Sequence, residues 1–305
     1  MKFLKLTILT LLTVTCLTGA AQSTQKDAWS FPFELTEYNN LSVQAILNNA
    51  DTVRLMFHTA ANYLTLTEDA IKRMKSLRFD GADTVKSWGG GGNESRFSKG
   101  NLLSIGSRQW QNVSVWENKN SGQHTDGKFG IDLFAGKVIA IDFDRRLITI
   151  SNDLPAPKQL KKYDRLHLTY ENEMMFVTAS GNIGQDTLTN KFLIHSGYAG
   201  DILLDDKFVE THQLGEKLKV IDEKQLKDSY GNVLKTQKAI LPAFVIGKQK
   251  LANVPVGFFQ GALGRQKISI LGGDIIKRFN IVIDANREFI YFRSNSLNTT
   301  AYTTV

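Results

Sequence analysis

The sequence predicts an all-β protein of two similar lobes with few, short helices. Three observations carry this prediction: an internal repeat, strand-forming residues within the repeat, and a shortage of helical signals. Residues 130–150 and 272–292 match at a constant offset of 142, which aligns Gly130 with Gly272. The matched segments are rich in β-branched and aromatic residues and are interrupted by Gly, Asn and Asp, which is typical of strands joined by turns.

Each repeat ends in a predicted hairpin, and helical signals are sparse. The hairpin strands are predicted at residues 138–143, 147–150, 281–284 and 289–292. Two short segments could form helices, residues 68–75 behind a capping Thr67 and residues 275–279. A long helix bundle is therefore excluded.

The repeat also divides the chain into units. We predict one lobe at residues 30–150 and another at 163–293, each with its own core. Residues 151–162 contain two prolines and several lysines, a composition that suits a surface linker. The tail, residues 294–305, is predicted to be loosely held.

The first residues indicate export. Residues 1–21 have a basic start, an apolar run at 6–17 and small residues up to Ala21, which is the pattern of a cleaved signal peptide. The apolar run is shorter than the roughly 20 residues that a transmembrane helix needs, so none is predicted. We expect a periplasmic or secreted protein. Lipoprotein anchoring through Cys16 is less favoured because Thr15 precedes it.

Composition excludes several classes of function. Cys16 is the only cysteine, which rules out a disulfide scaffold. The formal net charge is +7, but the basic residues are spread out and do not alternate with aromatic residues in a stripe. No nucleic-acid partner is predicted.

A short motif occurs once in each half. In the first half an apolar strand runs into His58-Thr59-Ala60, and in the second half another runs into His195-Ser196-Gly197. Each copy is followed much later in the chain by an apolar residue or pair and a glycine, Phe129-Gly130 in the first half and Ile270-Leu271-Gly272 in the second.

These motifs resemble those of the aspartic peptidases of the pepsin and retroviral-protease (retropepsin) type, in which the strand ends in Asp-Thr/Ser-Gly. The resemblance covers both lobes and implies a two-lobed, pepsin/retropepsin-like acid protease fold. It implies that His58 and His195 stand where the family has its catalytic aspartates, so they are the candidate catalytic residues. It also implies that the hydroxyls of Thr59 and Ser196 bond across the lobe interface.

The family's chemistry needs two carboxylates that share one proton. No aspartate stands at either motif position, so we expect no aspartic-peptidase activity by that mechanism. Whether the protein is an enzyme of another kind stays open. Surface or turn roles are favoured for the aspartates that recur in both halves, Asp132, Asp142, Asp274 and Asp284.

The resemblance further implies a hairpin that folds over the cleft and clamps an extended ligand. Candidate hairpin tips contain Trp88 with a run of four glycines, and Tyr230 with Gly231. An ordinary mobile tip is the alternative. We therefore assign ligand contact to Thr59, Ser196, Gly197, Trp88, Gly90, Gly91, Tyr230 and Gly231.

Two histidines in one cleft allow three roles. They can hydrogen-bond to each other or to the neighbouring hydroxyls, which is the favoured, structural role. They can bind a divalent metal such as zinc, with His124 as a third ligand, because zinc sites need three or four protein ligands. They can act as general acid and base, since adjacent imidazoles titrate as a coupled pair. No cofactor is predicted otherwise.

The function predicted from the sequence is a non-proteolytic pseudo-peptidase whose cleft binds a peptide or another extended polymer. One alternative is a hydrolase that uses His58 and His195, with or without metal. A second alternative is an envelope interaction scaffold with a vestigial cleft. The ligand and the oligomeric state stay open.

Overall fold

The structure is a computed structural model that describes residues 27–86, 92–227, 233–259 and 266–303. Strands dominate it, and no helix among these residues is longer than six residues. The predicted all-β class with few short helices is confirmed. None of the helices in the described part of the chain is long and apolar enough to cross a membrane.

The described elements of the first half are strands with one short α-helix and one 3₁₀ helix. They are β1 (Trp29–Pro32), β2 (Glu34–Leu35), β3 (Leu41–Leu47), β4 (Asp51–His58), β5 (Leu64–Thr67), α1 (Glu68–Ile71), β6 (Gly81–Lys86), β7 (Gly92–Ile105), β8 (Arg108–Asn118), β9 (Gly127–Gly130), the 3₁₀ helix Ile131–Phe134, β10 (Val138–Asp142) and β11 (Leu147–Ser151).

The second half repeats this pattern after a short helix in the linker. Its elements are α2 (Pro157–Leu160), β12 (Asp164–His167), β13 (Thr169–Glu171), β14 (Met174–Ile183), β15 (Asp186–Ile194), β16 (Ile202–Leu203), α3 (Asp206–Thr211), α4 (Leu214–Lys217), β17 (Val220–Lys227), β18 (Val233–Ile246), β19 (Gln249–Phe258), β20 (Ser269–Leu271), α5 (Gly273–Ile276), β21 (Phe279–Ile283) and β22 (Phe289–Ser294).

Each half builds an eight-stranded sheet, and the two sheets have the same strand order. The first is β2-β3-β4-β9-β5-β8-β7-β6, and the second is β13-β14-β15-β20-β16-β19-β18-β17. Each sheet also folds back on itself through one extra pairing, β3 with β7 and β14 with β18. The internal repeat of the sequence is therefore a repeat of topology.

A third sheet of six strands joins the halves, in the order β1-β11-β10-β21-β22-β12. The two predicted hairpins form its centre, where β10 and β21 run antiparallel with Ala140 opposite Val282. Buried side chains from both halves and from this sheet form one continuous apolar cluster. The expectation of a separate core for each lobe is wrong, because the joining sheet packs beneath both.

The helices differ from the prediction in length. Thr67 caps α1 as expected, with its side chain accepting from the Ala70 amide at 3.1 Å, but α1 ends at Ile71. The turns predicted at residues 275–279 are found two residues earlier, as α5, and Phe279 already belongs to β21. Helices α2, α3 and α4 are additional to the prediction.

The tail is bound to the second lobe, so the expectation of a loosely held tail is wrong. The buried guanidinium of Arg278 donates to the carbonyl oxygens of Asn298 at 3.0 Å and Thr300 at 2.8 Å, and it lies 3.9 Å from the ring centroid of Tyr302. A buried guanidinium needs many acceptors, and the backbone of the tail provides them.

Candidate functional site

The two motif histidines meet where the lobes face each other. His58 is the last residue of β4, and His195 follows the end of β15, with its amide donating to the carbonyl of Leu271 at 3.0 Å. Their ring centroids lie 4.6 Å apart with an interplanar angle of 60°. His58 is buried and His195 is half-buried. The repeat thus places one histidine from each lobe in a single site.

Reciprocal hydrogen bonds between Thr59 and Ser196 hold the two motif loops together. The Thr59 amide donates to Ser196 Oγ at 2.9 Å, and the Ser196 amide donates to Thr59 Oγ1 at 3.0 Å. Each hydroxyl donates in turn to a backbone carbonyl of the opposite lobe, Thr59 to Ile194 at 2.7 Å and Ser196 to Phe57 at 2.8 Å. All four groups are buried and satisfied, as the family resemblance implies for these hydroxyls.

The third residue of each motif has a different environment. A Cβ at Gly197 would lie 2.2 Å from both Cδ2 and Nε2 of His58, so the ring packs directly on the glycine backbone. Ala60, at the same motif position of the first lobe, packs against an apolar cluster of the second lobe that includes Phe176 and Ile270. The glycine is therefore a steric requirement in one lobe only.

Gly130 and Gly272 let the motif loops cross the strands behind them. A Cβ would lie 1.8 Å from the Ala61 carbonyl oxygen at Gly130, and 2.1 Å from the Gly200 carbonyl oxygen at Gly272. No side chain fits at such distances. The equivalence that the sequence indicated between these glycines holds in three dimensions.

The ring nitrogens of the two histidines differ in their hydrogen bonds. His58 Nδ1 accepts from the Ala60 amide at 3.1 Å, so the neutral ring carries its proton on Nε2. Nδ1 of His195 is buried and has no hydrogen-bond partner among the described residues. A buried polar atom in that state is a candidate contact for a bound molecule.

Both histidines are neutral at pH 7. Burial lowers the pKa of His58 well below its usual range, and the nearby His195 and Lys128 lower it further. Burial and then Lys128 lower the pKa of His195 to about 4. Lys128 is the charged residue that lowers the pKa of both rings, and its charge is positive. This is the reverse of a carboxylate dyad, which holds negative charge.

Lys128 also belongs to this site, although neither sequence motif contains it. It lies on β9 opposite Met56 of β4, two residues before Gly130, which is opposite His58. Side chains two apart on a strand point to the same face. The repeat offset of 142 aligns Lys128 with Ile270, so a lysine at a position that is apolar in the second half was the available signal.

The second-lobe side of the site is apolar. Its buried cluster contains Phe176, Leu193, Leu203, Phe259 and Ile270, with the partly buried Met174, Tyr198 and Ile268 packed against it. The two walls therefore differ in chemistry, with a lysine on the first lobe and aliphatic and aromatic side chains on the second.

His124 does not join the pair, so the predicted three-histidine metal site is wrong. Its side chain is 61% exposed, and Nε2 lies 3.1 Å from the Glu37 carboxylate. The described residues contain no group of three or more histidine, cysteine or acidic side chains that could hold a metal ion.

Asp274 is not at the surface, which corrects the expectation for that residue. Its carboxylate is fully buried, and Oδ1 lies 2.9 Å from Lys277 Nζ and 3.0 Å from Arg278. Asp132, its counterpart in the first lobe, is exposed and accepts from the Tyr63 amide at 3.2 Å. Asp284 accepts two backbone amides within its hairpin turn. None of these carboxylates contributes to the histidine pair.

The remaining predicted ligand contacts lie outside the described residues. They are Trp88, Gly90, Gly91, Tyr230 and Gly231. The strands on either side of these segments pair antiparallel, β6 with β7 and β17 with β18, at equivalent places in the two sheets.

Comparisons with known proteins give the fold. No protein-family model matches the chain. No curated protein matches it either. Among solved structures, it is similar to an aspartic proteinase from Irpex lacteus, with a TM-score of 0.58 and 13% sequence identity over 90% of this chain and 99% of that one. The chain therefore has the fold of an aspartic proteinase.

Proposed function

We propose that this aspartic-peptidase-like protein is an exported pseudo-peptidase whose cleft binds an extended peptide, or a similar polymer, without cleaving it. The observation that carries the proposal is the pair of neutral imidazoles, His58 and His195, at the meeting point of the two motif loops. They take the positions at which the fold's catalytic aspartates would stand. A pair of neutral imidazoles lacks the negative charge that a carboxylate dyad with one shared proton carries.

Retention of the cleft's framework supports a binding role. The Thr59–Ser196 hydrogen bonds are complete and buried, and Gly197 accommodates the His58 ring. A strand-like ligand can use backbone hydrogen bonds and side-chain pockets, so recognition does not depend on the catalytic pair. Export is part of the proposal and relies on residues 1–21 of the sequence.

One peptide library can test binding and cleavage together. The purified protein is incubated with a synthetic library over a range of pH from acid to neutral, and mass spectrometry identifies retained peptides and new termini. We expect selective retention at neutral pH and no new termini at any pH. New termini at acid pH would show that an aspartic-type peptidase activity exists despite the histidines.

Two variants that should both keep the fold are compared, one that blocks the cleft and one that leaves it open. Gly197→Val places a branched side chain where the His58 ring lies, whereas Gly184→Asn alters a glycine of the β14–β15 turn that has open space around it and a φ of +60°, which asparagine tolerates. Retention should fall in the first variant and persist in the second, provided that circular dichroism shows both to be folded. Equal retention by both variants would instead support an interaction scaffold with a vestigial cleft.

A hydrolase that uses the histidine pair is the second candidate. It is favoured by the unpartnered Nδ1 of His195, which could accept a proton from a nucleophilic water. Turnover that is optimal near neutral pH and lost in both His58→Gln and His195→Gln would establish it. Metal analysis of the same variants separates the metal-assisted form, because stoichiometric zinc should then disappear with either histidine.

A further inference from the structure

We propose that Lys128, His58 and His195 form a subsite for a carboxylate group of the bound ligand. The inference rests on the proposed function, since it names the chemical class that the cleft recognises. The carboxylate dyad of an acid protease carries negative charge. Here one basic residue beside two imidazoles gives the site positive charge instead, which suits a carboxylate of the ligand. Lys128 is half-buried and lies on β9, the strand that pairs directly with the one that carries His58.

The position of Lys128 is set by strand register. Met56 is opposite Lys128 and His58 is opposite Gly130, so the lysine and His58 lie on one face of the sheet, separated by two residues. Its charge acts on both rings and lowers both histidine pKa values. The three groups therefore lie within electrostatic range of one another.

The hydrogen-bonding capacity of the pair suits an anion. The neutral His58 carries its proton on Nε2, because Nδ1 accepts from the Ala60 amide. In His195, the buried Nδ1 lacks a described partner and can become a donor when the proton lies there. A carboxylate accepts from both rings and from the ammonium group, and such charge-assisted bonds are stronger than neutral ones.

The apolar second-lobe side of the site indicates which ligand groups should lie beside the carboxylate. Ile270, the repeat counterpart of Lys128, belongs to a cluster with Phe176 and Leu193. A ligand that spans the cleft would thus place its acidic group toward the first lobe and apolar groups toward the second. Two sources of the carboxylate fit, an acidic side chain or the C-terminus of a peptide.

Acid should tighten binding at this subsite. A bound carboxylate raises the pKa of both histidines, so the complex takes up protons that the free protein, with His195 near 4, does not hold. The other titratable groups on the surrounding loops, or bonded to them, include Tyr198, Asp132, Asp201 and Glu173, which accepts from Asn62 Nδ2 at 2.5 Å. Burial and Asp274 raise the pKa of Asp201 to about 7, so Asp201→Asn is the control for the pH effect. Tyr198 is neutral because burial raises its pKa, and burial also raises the pKa of Asp132, so Asp132→Asn is a second control.

Acetate tests the subsite without any peptide. The imidazole signals of ¹³C-histidine-labelled protein are followed by NMR during titration with acetate at several pH values. We expect saturable shifts of the His58 and His195 signals, tighter binding as pH falls, and a pKa of His195 that rises above its free value. The same pH dependence should persist in Asp201→Asn and in Asp132→Asn. Absence of saturable shifts at both histidines would overturn the proposal.

Variants assign the charge to Lys128. Lys128→Met should weaken acetate binding about tenfold, while Lys128→Arg keeps the charge and most of the affinity. The fold accommodates an apolar residue there, since Ile270 occupies the equivalent position. Lys250→Met removes an exposed lysine on β19 and is the matched control, for which no change is expected. Equal affinity in Lys128→Met and Lys250→Met would contradict the role of Lys128.

Three peptides of alanine and valine, of which the first two are blocked at both ends, separate the sources and the two proposals. One has a central glutamate, the second has glutamine there, and the third is the glutamine peptide with a free C-terminal carboxylate. Preference of about tenfold for the first indicates a side-chain carboxylate, and the same preference for the third indicates a terminal one. Equal binding of all three overturns the carboxylate subsite but not peptide binding. Acetate binding without peptide binding contradicts the proposed function and supports the subsite.

Discussion

The two lobes share one strand order but have diverged around the site. His58 is buried, with Nδ1 bonded to a backbone amide, whereas His195 is half-buried and its Nδ1 has no partner among the described residues. Lys128 lines the first lobe where Ile270 lines the second. The two halves therefore share a framework and differ in the chemistry that each contributes to the site.

The supports beneath the two loops also differ. In the second lobe, Asp274 is buried between Lys277 and Arg278, and its Oδ2 accepts from the amide of Thr303 in the tail. In the first lobe, the equivalent Asp132 makes one exposed hydrogen bond. An ionic cluster thus ties the tail to the second lobe.

That cluster also reaches across the lobe boundary. Lys277 Nζ donates to Asn39 Oδ1 at 2.9 Å, and Asn39 Nδ2 donates to the Ala199 carbonyl at 2.7 Å. Ala199 lies in the loop that follows His195. The position of that loop therefore depends on groups from the first lobe, the second lobe and the tail.

Replacing each of the two equivalent aspartates by asparagine should give the largest difference in stability between the lobes. Asp274→Asn leaves two buried cations without their carboxylate, and removing one partner of a buried ion pair costs about 3–5 kcal/mol. Asp132→Asn should cost less than about 1 kcal/mol, because its hydrogen bond is exposed. Urea unfolding followed by circular dichroism measures both. Similar midpoints for the two variants would show that the buried cluster contributes little to stability.

The framework was accessible from the sequence because it repeats. The Gly130–Gly272 match, the two hairpins and the Thr59–Ser196 pairing each depend on local patterns that occur twice at nearly constant offset. Backbone geometry imposes such patterns, since a turn or a close approach admits few residue types.

Features that occur once were not accessible in this way. Lys128 reads as an ordinary strand lysine until the register places it beside His58. Asp274 is buried because two cations, three and four residues later in the chain, pair with it, and because the tail covers it. The composition of that tail suggests a loose segment. His124 was expected near the pair from its closeness in sequence to Gly130, but it pairs with Glu37 at the surface. Long-range packing decides these cases.

Protonation of His195 in acid should lower the free energy of unfolding by a smaller amount than Asp274→Asn does. The pKa of His195 is lowered to about 4, so the unfolded chain, with a pKa near 6.5, binds more protons between these values. The stability that the neutral ring contributes is complete above pH 6.5 and is lost as pH falls toward 4, a difference of about 3 kcal/mol.

The measurement is the difference in unfolding free energy between the wild-type protein and His195→Gln from pH 7 to pH 4. This difference cancels the titration of the carboxylates that the two proteins share. The His195→Gln variant should lose less stability on acidification than the wild type. His167→Gln, at an exposed histidine of β12, is the matched control and should follow the wild type. Parallel curves for His195→Gln and the wild type would mean that His195 is not held neutral.

Exchanging the third motif residue gives the smallest expected effect and tests the steric difference directly. Gly197→Ala places a methyl group 2.2 Å from the His58 ring, and overpacking of this kind costs about 1–3 kcal/mol. Ala60→Gly removes one methyl contact with the second-lobe cluster and should cost less than about 1 kcal/mol. Because the added methyl must displace the His58 ring, the His58 imidazole signals should shift in Gly197→Ala and stay in place in Ala60→Gly. Equal shifts in both variants would show that the rings are not fixed by Gly197, and the asymmetry between the two motif loops would then lie in Lys128 and the tail alone.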